Sequence, residues 1–152
     1  WENKCINCNK INFARVNPVV IIIIISGKKT LLGRSYHFPD KLYSCLAGFV
    51  EPGETLEMAA IREIKEEVGI KITNIKFITN QPWPFPSSLM FGLIAKTTNK
   101  NLKIDKKEIE HAFWITKSKL RKILNGKTNK ISAARKGTIA RYLLENWVNN
   151  KI

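Results

Sequence analysis

The sequence predicts a protein of the α/β (α+β) class, in which a mixed β-sheet is packed between helices. Its 152 residues are 44% hydrophobic and 25% charged, which is typical of one globular domain with a sizeable core. The apolar run at 19–25 is flanked by Pro18 and Gly27. It is too short to cross a bilayer, which takes about 20 apolar residues, so it predicts a buried strand. Segments with helical spacing follow among further strand-like segments, and this interleaving is typical of helices packed on a sheet.

The remaining elements follow in chain order. Extended segments are predicted at 30–34, 42–50, 72–79, 89–95 and 112–116. Helices are predicted from Thr55, as an N-cap, to Gly69, as a C-terminal stop, and then at 118–124 and 138–148. Apolar residues recur at three- and four-residue intervals in each of these helices, so each has one face for the core.

The net charge and the cysteine content indicate which binding partners and which cellular compartment to expect. The formal net charge is +14, with lysines spread along the chain. Either a basic solvated surface or a surface for a polyanion such as RNA explains it. Three cysteines argue against a disulfide scaffold and favour a reducing compartment. With no secretory signal, we expect a cytoplasmic protein that does not enter the membrane. The chain begins at Trp1 without an initiator Met, so we expect a truncated or processed form of something longer.

Carboxylates concentrate in the segment GFVEPGETLEMAAIREIKEEVGI, residues 48–70. On a helix, Glu66 and Glu67 follow Glu63 by three and four positions and therefore lie on the same side as Glu63. Like charges at this spacing oppose folding unless a positive charge lies among them. The alternative is a solvated acidic helix face without a ligand.

One arginine cannot neutralise this side of the helix. Arg62 can pair with Glu66 or reach back to Glu54 in the preceding loop. A hard divalent cation, Mg²⁺ or Mn²⁺, would complete the balance, because both prefer oxygen ligands and keep positions open for phosphate oxygens. The spacing therefore predicts a metal site, with Glu63 and Glu67 as first ligands and Glu66 as a further ligand or as the base.

The same segment resembles a complete Nudix box. Five residues separate Gly48 from Glu54, and seven more lead to Arg62. All fixed positions of the motif are present. The resemblance implies the Nudix fold, with a mixed sheet sandwiched between helices, over residues 13–152. It also implies metal-dependent hydrolysis of a nucleoside diphosphate linked to another group.

A second segment, NQPWPFPSS at 80–88, combines three prolines with two aromatic residues. We expect a rigid loop that cannot continue as an inner strand. It would either present aromatic faces to a flat ring or fill the core beneath the loop. The segment resembles the SQPWPFPxS signature of the NADH pyrophosphatases, the NudC-like branch of the Nudix hydrolases, with Asn80 in place of the usual Ser. That resemblance implies hydrolysis of NADH or NAD⁺ to NMN(H) and AMP, and removal of NAD caps from RNA 5′ ends.

The resemblance also implies roles for individual residues. The catalytic residues would be Arg62, Glu63, Glu66 and Glu67. The metal ligands would be Glu63, Glu66, Glu67, Glu108 and the backbone carbonyl of Ala47. Substrate would be bound by Phe49, Gln81, Trp83, Ser88 and Ala140, with Phe13 reaching the site of the partner in a homodimer.

The N-terminus resembles half of that family's zinc ribbon. Trp1 and the pair Cys5 and Cys8 would form a partial ribbon over residues 1–12. A tetrahedral zinc site needs four ligands, so the chain is a fragment, or zinc has been lost, or another chain completes the site. Alternatively, the pair are free thiols.

Three other residues with reactive side chains are predicted to have no ligand role. Cys45 lies in an apolar run and is predicted to be a small core residue. His37, in a probable loop at 36–40, and His111 are predicted to be surface residues or neighbours of ligands. Two alternative functions stay open: another Nudix hydrolase, acting on ADP-ribose or an oxidised nucleotide, and a catalytically silent module that binds dinucleotides or RNA ends. A silent module usually lacks one of the box carboxylates, and here none is lost.

Overall fold

A computed structural model describes residues 2–128 and 130–152. The strands are Glu2–Lys4 (β1), Ile11–Phe13 (β2), Asn17–Ser26 (β3), Lys29–Ser35 (β4), Leu42–Tyr43 (β5), Leu46–Phe49 (β6), Thr73–Trp83 (β7), Ser88–Lys96 (β8), Ile109–Thr116 (β9) and Ser132–Ala133 (β10). The helices are Leu56–Val68 (α1), Lys117–Leu124 (α2) and Ile139–Val148 (α3). Trp1, which was assigned to the partial ribbon, lies outside the described residues.

The main sheet is mixed, as predicted. Its strand order is β7-β8-β3-β4-β9, and β6 also pairs with β3. Strands β3 and β8 are parallel, and the other pairs are antiparallel. The first half of β3 pairs with β6 at 19–22, and only its last residues pair with β4. The sheet is therefore open beside β6, and this is where the segment that leads into α1 leaves it.

The central strand is buried on both faces, which explains its continuous apolar run. Val20, Ile22 and Ile24 pack into one core with α1, and Ile21 and Ile23 pack into a second core with α2 and α3. Successive side chains of a strand point to opposite faces, so each apolar residue has a helix to pack against. The prediction of a sheet between helices is confirmed.

The helix ends follow the predicted capping chemistry. Thr55 caps α1, since its hydroxyl accepts a hydrogen bond from the Met58 N–H at 3.2 Å. Gly69 ends α1 in the left-handed conformation at φ 68°, which glycine adopts without steric cost. Thr138 caps α3 in the same way as Thr55. These caps fix both ends of α1 and the beginning of α3, the two helices that border the candidate site.

Three predicted boundaries are wrong. Strand β9 begins at Ile109 and not at 112. Strand β7 does not end at Thr79 but continues to Trp83, with Pro82 paired to Leu89. Proline is tolerated there because β7 is the edge strand and its missing N–H breaks no inner ladder. The segment 42–50 is divided into β5 and β6 because Ser44 bridges to β4, with hydrogen bonds in both directions to Gly33 at 2.9 Å.

In the part of the chain that the structure describes, none of the helices combines the length and apolar character that a membrane span requires.

Candidate functional site

Helix α1 presents its carboxylates in three different environments. The side chain of Glu66 is 58% exposed and that of Glu63 only 12%. Glu67 is buried, at 6% exposure, on the helix face that also buries Ile64 and Val68. The predicted acidic side of the helix therefore runs from solvent into the protein interior.

Arg62 organises the carboxylates around it. Its guanidinium makes a two-pronged contact with Glu54, at 2.7 and 2.9 Å, and donates to Glu63 at 2.8 Å and Glu66 at 3.1 Å. It also donates to the carbonyl oxygen of Phe49 at 2.8 Å. Both pairings predicted for Arg62 are present together. A planar guanidinium can hold several acceptors in fixed directions, so this one side chain ties the loop before α1 to the helix.

The contact with Arg62 leaves Glu54 firmly ionised. Hydrogen bonds from Arg62 and from the backbone N–H of Glu51 lower the pKa of Glu54 to about 2. The same carboxylates raise the pKa of Arg62 above its ordinary value. Glu54 is therefore an anchor for the arginine and is not free to exchange a proton near neutral pH.

Glu67 is in the opposite situation. Burial, together with the charges of Glu63, Glu108 and Glu66, raises the pKa of Glu67 to about 8. Its Oε2 atom is buried and has no hydrogen-bond partner among the described residues. The pKa of Glu63 is raised as well, because the effect of burial exceeds the opposite effect of the hydrogen bond from Arg62. A buried, unpartnered carboxylate costs free energy, so this arrangement calls for a positive partner.

Glu108 reaches the same place from a distant part of the chain. The backbone N–H groups of Lys103 and Asp105 donate to the carbonyls of Val68 and Glu67, each at 2.9 Å. The carboxylate of Asp105 then accepts from the Lys107 N–H at 2.9 Å and closes a tight turn. The segment before β9 is thus docked on the C-terminal end of α1, which brings Glu108 close enough to influence Glu63 and Glu67.

A cavity of about 1030 Å³ lies between these carboxylates and the aromatic segment of β7. We call it the main cavity. Eight residues assigned from the sequence line it: Ala47, Phe49, Glu67, Gln81, Trp83, Ser88, Glu108 and Ala140. Six assigned residues lie outside its wall: Cys5, Cys8, Phe13, Arg62, Glu63 and Glu66. Its size lies at the upper end of the range of small-molecule sites.

The aromatic wall is held by Gln81. Its amide nitrogen donates to the Gly137 carbonyl at 2.8 Å, and its amide oxygen accepts from the Ile139 N–H at 2.7 Å. These bonds join the end of β7 to the start of α3, and they thereby hold Trp83 and Ala140 in fixed positions relative to each other. Trp83 and Phe85 then meet edge to face, with ring centroids 5.9 Å apart.

Part of the wall was missed from the sequence. The loop residues Tyr36, His37, Phe38 and Pro39 line the main cavity, and so does Arg135. This loop combines proline with aromatic residues, the signal already used for the segment at 80–88, and that signal could have identified it. Buried Cys45 also borders the cavity, in agreement with its predicted core position, and burial raises the pKa of its thiol to about 12. His111 is exposed and bonds to the Tyr43 hydroxyl at 2.9 Å.

The remaining assigned residues lie in the N-terminal hairpin of β1 and β2. Cys5 and Cys8 are in the turn between these strands, and Phe13 is 74% exposed on β2. Hydrogen bonds from the backbones of Cys8 and Asn7 lower the pKa of Cys5. Two thiols are half of a tetrahedral zinc site, and the described residues hold no third metal-binding side chain grouped with them. Zinc therefore does not fit this hairpin by itself.

The carboxylate site fits a hard divalent cation better. Within residues 2–128 and 130–152, no three metal-binding side chains are grouped closely enough to form a complete cluster. The unpartnered oxygen of Glu67 provides an acceptor, and Gly48 leaves open the space taken by the Glu63 carboxylate, where a β-carbon would collide. Oxygen donors of this type suit Mg²⁺ or Mn²⁺.

Comparisons with known proteins identify the family. The family model described as "NUDIX domain" matches residues 15–136. The human protein named NAD-capped RNA hydrolase NUDT12 is 43% identical over 140 residues, which cover 90% of this chain and 30% of that protein. NAD-capped RNA hydrolase NudC of Pseudomonas entomophila is 36% identical over 154 residues, covering 100% of this chain and 52% of that protein. The chain thus spans about half the length of the bacterial relative and less than a third of the human one.

Solved structures support the fold. A NUDIX hydrolase from Nitrosomonas europaea aligns with a TM-score of 0.76 at 20% identity, covering 97% of this chain and 78% of that chain. The solution structure of the E. coli ORF135 protein aligns with a TM-score of 0.65 at 21% identity, over 91% of this chain and 92% of that one. At such identities the likeness shows the fold alone.

Proposed function

This chain belongs to the NUDIX domain family, and from that premise we propose that it is a divalent-metal-dependent pyrophosphohydrolase of NAD. Its substrates would be NADH and NAD⁺, cleaved to NMN(H) and AMP, and the NAD cap at RNA 5′ ends. The relatives whose names specify NAD-capped RNA support this assignment.

One observation carries the proposal. The main cavity has carboxylates of Glu67 and Glu108 in its wall together with the aromatic rings of Phe49, Trp83 and Phe85. The carboxylates can hold the metal ions that pyrophosphate hydrolysis needs. The aromatic rings can stack on a flat base or nicotinamide ring. A dinucleotide has both parts in one molecule.

The proposed metal ligands are the carboxylates of Glu63, Glu66, Glu67 and Glu108 with the Ala47 carbonyl. Bound Mg²⁺ or Mn²⁺ would offset the charge on the pyrophosphate oxygens. The chain's own carboxylates would take the proton of the attacking water as its oxygen joins one phosphorus and the bridging P–O bond breaks. Glu66 and Glu67 are the candidates for this base, and Arg62 acts as a positioning residue because it holds Glu63 and Glu66.

Substrate positioning is proposed for the opposite wall. Trp83 and Phe49, 40% and 58% exposed, offer ring faces to the two ends of the dinucleotide. Gln81 uses both of its amide groups on α3, so it acts by holding this wall in place. Ser88 and Ala140 shape the adjoining surface.

The N-terminal part contributes three further proposals. We assign residues 1–12 to a partial zinc ribbon and 13–152 to the hydrolase domain. We also propose a homodimer that uses the exposed apolar side chains of Ile11, Phe13 and Val16, since such a patch is a common interface. The free cysteines support a reducing location, and we propose the cytoplasm.

Product analysis by chromatography tests the proposed function. The chain is incubated with NADH, NAD⁺, ADP-ribose and an NAD-capped RNA in Mg²⁺ or Mn²⁺, with and without a chelator. We expect NMN(H) and AMP from NADH and NAD⁺, and loss of both products with chelator. Preferred cleavage of ADP-ribose would favour a different hydrolase, and no cleavage of any substrate by folded protein would favour a binding module.

Replacing Gly48 with Ala is expected to lower turnover by about 10- to 100-fold, as for groups that orient metal ligands. The added β-carbon would collide with the carboxylate of Glu63 and push it from its position. The measurement is kcat on NADH together with the thermal midpoint. The variant is expected to stay folded. A wild-type kcat would contradict the claim that the Glu63 carboxylate must lie against Gly48 for activity.

A further inference from the structure

We propose that a second cavity, beside the first turn of α3, binds the first nucleotides of an RNA chain whose capped 5′ end occupies the main cavity. This inference rests on the proposed function and adds to it a place for the polynucleotide. It would distinguish capped RNA from free NAD.

The second cavity has a volume of about 570 Å³, within the range of small-molecule sites. Its wall is formed by the end of β7 and by α3 with the turn before it. Residues that line only this cavity include Asn80, Lys136, Tyr142 and Glu145. It lies outside the carboxylate site described above.

The two cavities adjoin each other. Gln81, Thr138 and Ile139 belong to the walls of both. The two hydrogen bonds of Gln81 to the backbone of Gly137 and Ile139 hold this shared wall together. A ligand longer than a dinucleotide could therefore leave the main cavity over Gln81 and continue in the second one.

The wall of the second cavity carries two basic residues, Lys136 and Arg141, and one acidic residue, Glu145. The part of the chain that supplies α3 is basic as well, since the stretch 116–144 has nine Lys or Arg residues and not one Asp or Glu. Arg135 lines the main cavity and Lys136 the second one, and both are exposed. Phosphates that leave the carboxylate site would meet positive charge in this direction.

The one acidic residue in this wall is already neutralised. Glu145 accepts a hydrogen bond from Arg141 at 2.6 Å. Tyr142, which is 50% exposed, offers a ring in the same wall. A basic side chain next to an exposed aromatic ring is the combination that binds single-stranded RNA, because phosphates pair with the first and bases stack on the second.

The test is equilibrium binding without turnover. A ten-nucleotide RNA with a 5′ NAD cap and a 3′ fluorophore is titrated in EDTA with wild type, Lys136→Glu, Tyr142→Ala and Lys71→Glu. Lys71 is exposed, follows the end of α1 and lines neither cavity, so Lys71→Glu makes the same charge change outside both walls. We expect Kd to rise about tenfold or more for Lys136→Glu and Tyr142→Ala, and less than threefold for Lys71→Glu. For Lys136→Ala, the slope of log K against log salt should fall by about 1.

Equal losses for Lys136→Glu and Lys71→Glu would overturn the inference, because charge alone would then explain the binding. Unchanged affinity in every variant, as expected if the cavity takes a peptide instead, would overturn it as well. Turnover of NADH in Mg²⁺ is measured separately. Cleavage of NADH with no selective RNA binding leaves the proposed function standing, whereas selective RNA binding without cleavage leaves this inference standing.

Discussion

Glu67→Gln is expected to lower turnover of NADH to below about one thousandth of the wild-type rate, a barrier increase of about 4 kcal/mol, while it stabilises the metal-free protein. The carboxylate of Glu67 is buried in the wall of the main cavity with one oxygen unpartnered. A neutral amide offers a cation no negative charge and is too weakly basic to take the proton of the attacking water. Glutamine has nearly the same shape as glutamate, so the expected loss of activity comes from the loss of the negative charge.

The stability gain follows from the same burial. The pKa of Glu67 is raised from 4.5 to about 8, which corresponds to about 5 kcal/mol between the two protonation states. A buried amide without partners costs about 1–3 kcal/mol, so we expect a net gain of at least about 2 kcal/mol at pH 8. The thermal midpoint should rise by about 4–8 °C.

The pH dependence of this gain has a definite sign. Between pH 4.5 and about 8, the folded protein keeps a proton on Glu67 that the unfolded chain has released. Stability of the wild type therefore falls as pH rises through this range. The difference between Glu67→Gln and wild type should be smallest near pH 4.5 and largest at or above pH 8.

Glu57→Gln is the matched control, since Glu57 lies in the first turn of the same helix and is exposed. It should change neither the rate nor the thermal midpoint appreciably. Near-normal turnover in Glu67→Gln would refute the role of Glu67. A lower midpoint than wild type at pH 8 would refute its description as an uncompensated buried charge.

Arg62→Lys is expected to lower kcat on NADH by about 10- to 100-fold, with a smaller change in KM. The guanidinium of Arg62 contacts Glu54, Glu63, Glu66 and the Phe49 carbonyl at once. A lysine ammonium keeps the charge but is too compact to serve these acceptors together. The expected result is therefore loss of carboxylate alignment rather than loss of charge.

A second variant, Arg62→Gln, separates the effect of carboxylate alignment from the effect of the positive charge. If alignment matters, both variants should lose kcat to a similar extent, and the concentration of Mn²⁺ for half-maximal rate should rise in both. The thermal midpoint should fall more in Arg62→Gln, which leaves three carboxylates without a cation. A fully active Arg62→Lys would show that the arginine supplies charge only.

Local chemistry explains which features could be predicted from the sequence. The caps Thr55 and Gly69 and the buried run of β3 depend on neighbouring residues, and they are found where predicted. Glu108, by contrast, was assigned only through the resemblance. Its position depends on backbone hydrogen bonds between the end of α1 and a segment that begins 35 residues later in the chain. No local pattern encodes such a contact.

Tertiary context explains the failures. Pro82 lies within β7 because that strand is at the sheet edge, and edge position depends on the whole topology. The loop at 36–39 becomes part of the cavity wall only when the fold brings it to the same cavity as the start of α3. The joining of two cavities at Gln81 likewise depends on the contact between β7 and α3, which are far apart in the chain.

The most direct test of the central claim, that this cavity hydrolyses the pyrophosphate bond of NAD, is the reaction of NADH in oxygen-18 water with Mn²⁺, followed by mass spectrometry of the products. We predict two monophosphates, NMNH and AMP, with a single heavy oxygen incorporated into one of them per turnover. Release of nicotinamide and ADP-ribose without label on phosphorus would contradict the claim, and so would intact NADH in the presence of folded, metal-supplied protein.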